Sequence, residues 1–251
     1  MIENQYPPTW QDLQEQVNKI FCEIGLKSEV GKIVSTPRGT VEIDVFAIDT
    51  KSVDKIKYIV ECKNWSSAIP QTVVHSFTTI MHETGGNIGY IISKEGLQSG
   101  AIEYTKNTNI QGLTFYEFQQ KYFSIWFENY FAPQISARGD ALIQYTEPIN
   151  SRRISFIEEL SSGKCQEYHE LCDKYCLFGM MMSMVSAPKI FQKDRKKIPE
   201  SIEEFKSKIS DIDAEFSLNS EYFRDLLNEL FSIIDEATEK FNNLFGKNIF
   251  A

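Results

Sequence analysis

Apolar positions along this chain repeat at two spacings, and the change from one to the other divides it. Thr9 and Asp12 mark a helix start just inside Pro7 and Pro8. Trp10, Leu13, Val17, Ile20, Phe21 and Ile24 then share one helical face, and Gly25 closes the helix. Residues 27–34 read as a first strand, and Thr36-Pro37-Arg38-Gly39 as a turn. Val41, Ile43, Val45 and Ala47 alternate with Glu42, Asp44, Phe46 and Ile48, which suits a strand covered on much of both faces. Residues 56–62 form a third strand rich in β-branched side chains.

Downstream, Pro70 sits in the first turn of a helix that stops at Gly85-Gly86. Residues 88–93 form a strand, 97–107 a helix, 113–116 a strand and 118–131 an aromatic-dense helix. The alternating tail implies parallel crossovers, so residues 1–132 are expected to form an α/β domain, a mixed sheet flanked by helices. Residues 133–148, with two prolines and Gly139, change in character and are taken as the boundary. Beyond them the spacing is helical throughout, at 154–160, 165–185, 202–209 and 221–245. An all-α domain over 149–251 is therefore expected. The apolar stripe of its last helix, Phe223 to Phe245, would run about 35–40 Å at 1.5 Å per residue. That length calls for helix-on-helix packing or a partner.

At 251 residues the chain can bury a sizeable core. The uncharged, Met-rich stretch at residues 176–187 is too short for a membrane span of about 20 residues. The opening MIENQYPPTW has neither the basic start nor the apolar run of a signal peptide. Five cysteines without regular spacing make no disulfide framework, which points to a reducing cytoplasm. Net charge is -9; residues 1–130 carry 11 Lys and Arg against 15 Asp and Glu, and the remainder 15 against 20. Neither part has the basic excess that drives phosphate binding. A partner protein or an assembled oligomer, formed through the C-terminal helices, is the expected remedy.

The candidate chemistry lies in residues 41–65, VEIDVFAIDTKSVDKIKYIVECKNW. Alternation puts Glu61 and Lys63 on one face of their strand, with Cys62 opposite. If the neighbouring strand brings Asp44 alongside, two carboxylates and an amine converge. Carboxylate oxygens suit Mg²⁺, with Mn²⁺ as a substitute, because such an ion takes one or two carboxylates and fills its shell with water and phosphate. The plainer alternative is a surface cross-strand ion pair. Against it, Asp44 and Glu61 interrupt apolar runs where unpaired carboxylates are costly to bury.

In this setting the N-terminal part resembles the PD-(D/E)XK nuclease superfamily, and most closely the restriction-endonuclease domains of the Mrr type. The pieces that carry the resemblance are LQEQVNKIFCEIGL, TPRGTVEIDVFA, YIVECKNW and IGYIISKEGLQSGAIEYTKNTNI, in that order over roughly residues 10–118. The resemblance implies a metal-dependent DNA endonuclease of bacterial restriction or anti-phage defence. It implies Asp44 and Glu61 as metal ligands and Lys63 as the catalytic lysine. Many relatives carry a glutamate on the first helix; the aligned position here is Gln14, and Glu15 beside it is a candidate extra ligand. Gln71, opening the helix after the third strand, is a candidate to reach the site. Rival readings are a junction-resolving or repair nuclease with the same site, and a non-catalytic interaction subunit that keeps the fold.

Other groups carry less. Cys165, His169, Cys172 and Cys176 lie along one helix face, but their outer pair is about 16 Å apart at 1.5 Å per residue. A single zinc cannot collect them all from a straight helix. His75, His82 and the methionines 180–182 and 184 read as packing. Arg38 and the basic run Lys193, Arg195, Lys196, Lys197 could touch phosphate, though a turn and a solvated loop are the simpler readings.

Overall fold

The computed structural model of the chain describes residues 1–186, 201–211 and 216–251. They divide into two compact units, one comprising Met1 and Glu3–Asn129, the other Ile2 and Tyr130–Ala251. The basic run at 193–197 lies outside the described residues.

In the first unit, α1 (Trp10–Glu23) opens with a reciprocal cap. Thr9 Oγ1 accepts from the Asp12 amide at 3.1 Å, and Asp12 Oδ2 accepts from the Thr9 amide at 3.0 Å. Strands β1 (Lys27–Thr36), β2 (Gly39–Ile48) and β3 (Lys57–Lys63) follow as an antiparallel meander. Helix α2 (Gln71–Thr84) and helix α3 (Ser99–Thr105) then carry the chain to β4 (Ile88–Ser93) and β5 (Ile110–Thr114), both parallel to β3. The result is one five-stranded mixed sheet in sequential order, β1 to β5.

Both faces of the sheet are covered. Ile59, Ile91 and Ile110 of the strands pack with Val74, Phe77 and Met81 of α2 and Ala101 of α3. On the other face, Phe21 of α1 meets Tyr58, and Tyr90 meets Phe118 and Tyr122 of α4 (Phe115–Trp126). The Tyr90 and Tyr122 hydroxyls share a hydrogen bond at 2.9 Å, so neither is left unpaired in the apolar layer. Gly86 and Gly89 are required where α2 comes closest: an added Cβ would meet Met81 and Ile59 or Phe77 within 3 Å.

The second unit is helical: α5 (Ala132–Thr146), α6 (Ser151–Glu158), α7 (Ser162–Ser183), α8 (Ile202–Ser210) and α9 (Phe223–Phe245). Residues 133–148, expected as a boundary, are mostly α5, which follows a π-helical turn at Phe127–Phe131. Pro133 is tolerated in the first turn, where its missing N–H costs nothing. Gly139 is where α5 and α7 touch: a Cβ there would come within 2.4 Å of the Ser183 nitrogen. Pro133 and Gly139 are therefore helix residues, and Gly139 has a packing reason; Pro148 lies just beyond the helix end.

Helices α5, α7 and α9 pack together, and the stripe Leu226, Leu230, Ile234, Phe241 and Leu244 is buried among them. Of the two ways to cover that stripe, helix-on-helix packing is the one realised. The end of α5 collects donors from its neighbours. Arg153, 3% exposed, gives Nη1 to Gln144 O at 2.7 Å and Nη2 to Glu147 O. Tyr168 Oη donates to Tyr145 O at 3.0 Å. The thiols of Cys172 and Cys176 point at Tyr145 O and Thr146 O at 3.8 and 3.6 Å. The orphan carbonyls of a helix C-terminus are thus satisfied by side chains. No helix among the described residues is long and apolar enough to cross a membrane.

Candidate active site

The site begins with an irregularity in β2. Its pairing with β1 runs Val30↔Val45 and then Lys32↔Ile43, passing over Gly31 and Asp44. Gly31 has φ 66°, a conformation open to glycine and costly for other residues. Strict alternation also fails here, since Ile43 and Phe46, three apart, pack in the same apolar cluster. Local distortions of this kind re-aim side chains. Here the side chain is Asp44, whose Oδ2 accepts from the backbone N–H of Cys62 at 2.7 Å. The β2–β3 ladder has already ended at Val45↔Val60, so this carboxylate takes up a strand donor where the two strands part.

Strand β3 presents alternate residues to opposite sides. Val60 and Cys62 are buried on the α1 side, while Ile59 packs with α2 and Glu61 follows it. Glu61 and Lys63, two apart, form an ion pair. Lys63 Nζ also lies 5.9 Å from the centroid of the Trp65 ring.

Two clefts open at this edge. One, of about 510 Å³, is lined by Trp10, Gln14, Asp44, Cys62, Lys63 and Trp65 among others. The second, of about 350 Å³, is lined by Glu61, Lys63, Trp65 and the α2 residues Thr72, Val73 and Ser76. Asp44 lines only the first and Glu61 only the second, while Lys63 and Trp65 line both. The lysine therefore stands between the two carboxylates.

The charges are felt across the group. Burial holds the Asp44 carboxyl above its usual range; the Cys62 N–H and Lys63 oppose this and Glu61 adds to it. Burial alone would lower Lys63, but the hydrogen bond and charge of Glu61, followed by Asp44, raise it. Lys63 is a firmly held cation. The buried Cys62 thiol is pushed well up, first by burial and then by the carboxylates, which leaves it neutral.

Asp44, Glu61 and Lys63 are thus brought together, and two other candidates are not. Glu15 is exposed, while Gln14, one residue round the helix, is 6% exposed and lines the larger cleft. Successive helix residues differ by about 100°, so only one of the pair can face the sheet. Gln71 is exposed and lines neither cleft; its amide shares a hydrogen bond with His75 Nε2 at 3.2 Å, and His75 stands edge-on to Tyr104 of α3. Helix α2 offers Thr72 and Ser76 to the cleft instead, one and five residues on.

Arg38 pairs with Glu83 at 2.8 Å, and His82 is exposed at the end of α2. Among the described residues no three His, Cys, Asp or Glu side chains cluster as a metal-binding group. In the second unit Cys165 Sγ lies 3.7 Å from His169 Nε2, while Cys172 and Cys176 turn to the α5 carbonyls.

The sequence pattern did not single out Trp10, Asn64, Thr72 and Ser76. Trp10 is counted with the apolar face of α1 but is 52% exposed. Asn64 Nδ2 donates to Pro7 O and Pro8 O, each at 3.4 Å, and so ties the end of β3 to the segment before α1.

A mixed five-stranded sheet of this topology, flanked by helices, is a restriction-endonuclease-like fold of the PD-(D/E)XK type. Residues 8–121 match the family model of the Mrr-type catalytic domain, described as restriction endonuclease. No curated protein matches the chain. A crystal structure titled as a protein of unknown function is similar at 15% identity, covering 91% of this chain and 100% of its own, with a TM-score of 0.39. A likeness that weak adds nothing to the fold already described.

Proposed function

We propose that the protein is a divalent-metal-dependent DNA endonuclease, with its centre at Asp44, Glu61 and Lys63. What supports this reading most is that two carboxylates flank one lysine where β2 and β3 part, within residues that match a nuclease family model. The donor set fits Mg²⁺. It consists of hard carboxylate oxygens, two in number, and Asp44 is half-buried with a single hydrogen-bond donor to offset its charge. Mn²⁺ has the same ligand preference and is expected to substitute. A bound ion would supply an acidified water and neutralise charge on the phosphate.

The residues of the chain divide the remaining work. The Cys62 N–H holds the Asp44 carboxylate in one orientation. Lys63, kept charged by Glu61, is a fixed cation for the oxyanion that develops as the phosphodiester is attacked. Thr72 lines the second cleft with a hydroxyl that can position a backbone oxygen of the substrate, while the Ser76 hydroxyl donates to Thr72 O at 3.1 Å. The chain would serve in bacterial restriction or anti-phage defence, acting in the cytoplasm. A partner protein or homo-oligomer would supply the phosphate contacts that the acidic balance of the chain lacks.

The test is cleavage of plasmid duplex and of circular single-stranded DNA by the purified protein with Mg²⁺, with Mn²⁺ and with EDTA, beside Asp44→Ala and Lys63→Ala. Cleavage that needs metal and is lost in both variants is the expected result. Equal activity in all three proteins would sink the assignment.

A further inference from the structure

Two of the three tryptophans in this chain are left partly in water, and both line the cleft that holds Asp44 and Lys63. Trp10 is 52% and Trp65 43% exposed, whereas Trp126 is fully buried. One exposed indole is ordinary, but two lining the same cleft make a patch, and a patch asks for a reason. The segment before α1 adds a third ring. Tyr6 is exposed, and Lys94 Nζ lies 5.9 Å from its centroid. Lys94 directly follows Ser93, the residue paired with Lys63 across β3 and β4. Asn64 fixes that segment over the end of β3 through Pro7 O and Pro8 O. The strand ends therefore present rings and single cations together: Trp65 with Lys63, and Tyr6 with Lys94.

We propose that this aromatic edge is a stacking platform for unpaired bases, and that the site acts on DNA presented as a single strand. Aromatic rings with interleaved cations are the chemistry by which proteins hold single strands, because every base has a face to stack. In a duplex those faces are occupied by neighbouring bases and the indoles would have nothing to bind. The charge balance points the same way. With 11 basic against 15 acidic residues over positions 1–130, the domain cannot rely on phosphate contacts along a duplex. Stacking adds about 5- to 100-fold per base (about 1–3 kcal/mol) to what Lys63 and Lys94 supply to the backbone. A base resting on Trp65 brings its own phosphate beside Lys63 and the carboxylates, so binding and positioning become one event. A protein partner would not need its contact surface inside a cleft that also holds Asp44.

This inference rests on the nuclease reading, and binding measured without metal separates the two. The full-length Asp44→Asn protein, in EDTA, is titrated into a labelled 15-nucleotide DNA strand, its duplex and the RNA of the same sequence, followed by anisotropy. Single-stranded DNA is expected to bind at least about tenfold more tightly than duplex. Trp10→Ala and Trp65→Ala should each weaken that binding by about 5- to 100-fold, and Trp→Phe at either position should keep most of it. Both side chains are largely exposed, and circular dichroism of each variant verifies folding. Equal or tighter binding of duplex, preference for RNA, or unchanged binding in both alanine variants overturns the proposal. If plasmid duplex is still cut at the unaltered rate by Trp65→Ala, the nuclease reading survives and this one falls. Stacking-dependent binding by a protein that cuts no nucleic acid supports the platform and overturns the nuclease reading.

Discussion

Asp44 Oδ2 accepts a hydrogen bond of 2.7 Å from the backbone N–H of Cys62, just beyond the last paired residues of β2 and β3. The same carboxylate is thus structural and, in the proposed function, a metal ligand. Substitutions can separate the two roles. Asp44→Asn keeps an oxygen acceptor for the Cys62 N–H but loses the charge. It should fold with nearly unaltered stability and lose cleavage. Asp44→Ala strands a partly buried donor and should cost about 1–3 kcal/mol as well. Urea unfolding beside plasmid cleavage measures both, and matching stability in the two variants would refute the structural half.

Gly31 is the residue opposite this aspartate, and its φ of 66° is expensive for any side chain. Gly31→Val should destabilise the protein by about 1–2 kcal/mol or more, since a branched residue pays the left-handed penalty and its Cβ would sit 3.3 Å from Glu42 Oε1. Because the distortion re-aims Asp44, cleavage should fall by more than the lost stability explains. The check is activity at a temperature where the variant is still fully folded.

The two neighbouring residues of α1 should behave oppositely. Gln14 lines the Asp44 cleft and Glu15 faces water. Glu15→Ala should leave cleavage within about twofold, as exposed substitutions do. Gln14→Ala should lower it clearly, read as the rate at saturating metal.

Glu229 gives the second unit a pH dependence. Burial would raise its carboxyl, but Ser220 Oγ and the amides of Asn219 and Ser220 donate to it and hold it below the ordinary range. A carboxyl whose folded pKa is depressed contributes stability above its unfolded value, near 4.3, and loses it as pH falls through the folded value. Glu229→Gln should therefore cost about 1 kcal/mol near neutral pH. The difference from the unaltered protein should shrink as thermal unfolding is repeated from about pH 6 down to pH 3.

Arg153 closes the end of α5 from a fully buried position. Arg153→Ala leaves two carbonyls without their donor and should cost about 2–3 kcal/mol by urea unfolding. A shift smaller than about 0.5 kcal/mol would show that water replaces the guanidinium at no loss.

Some of this was readable from spacing alone. Thr9 and Asp12 announce α1, Gly85 ends α2, and Asp44, Glu61 and Lys63 stand out as charges within apolar strand runs; the structure assembles all three at one edge. Other parts were not readable. Pro133 and Gly139 look like linker residues because their usual meaning is local, and only contact with α7 gives Gly139 its use. Trp10 fits an apolar helical face by period, yet it is 52% exposed.

By itself, then, the sequence determined the order of elements up to residue 131, the cap of α1 and the mixed sheet, and it singled out Asp44, Glu61 and Lys63 as candidates. These follow from backbone preferences and side-chain periods, which act over a few residues. Only the tertiary structure decided that Gln14 rather than Glu15, and Thr72 and Ser76 rather than Gln71, face the clefts. It alone turned the cysteine face toward the α5 carbonyls and left Trp10 and Trp65 beside Asp44. Which way a side chain faces depends on what packs against its element, and that neighbour lies tens of residues away in the chain.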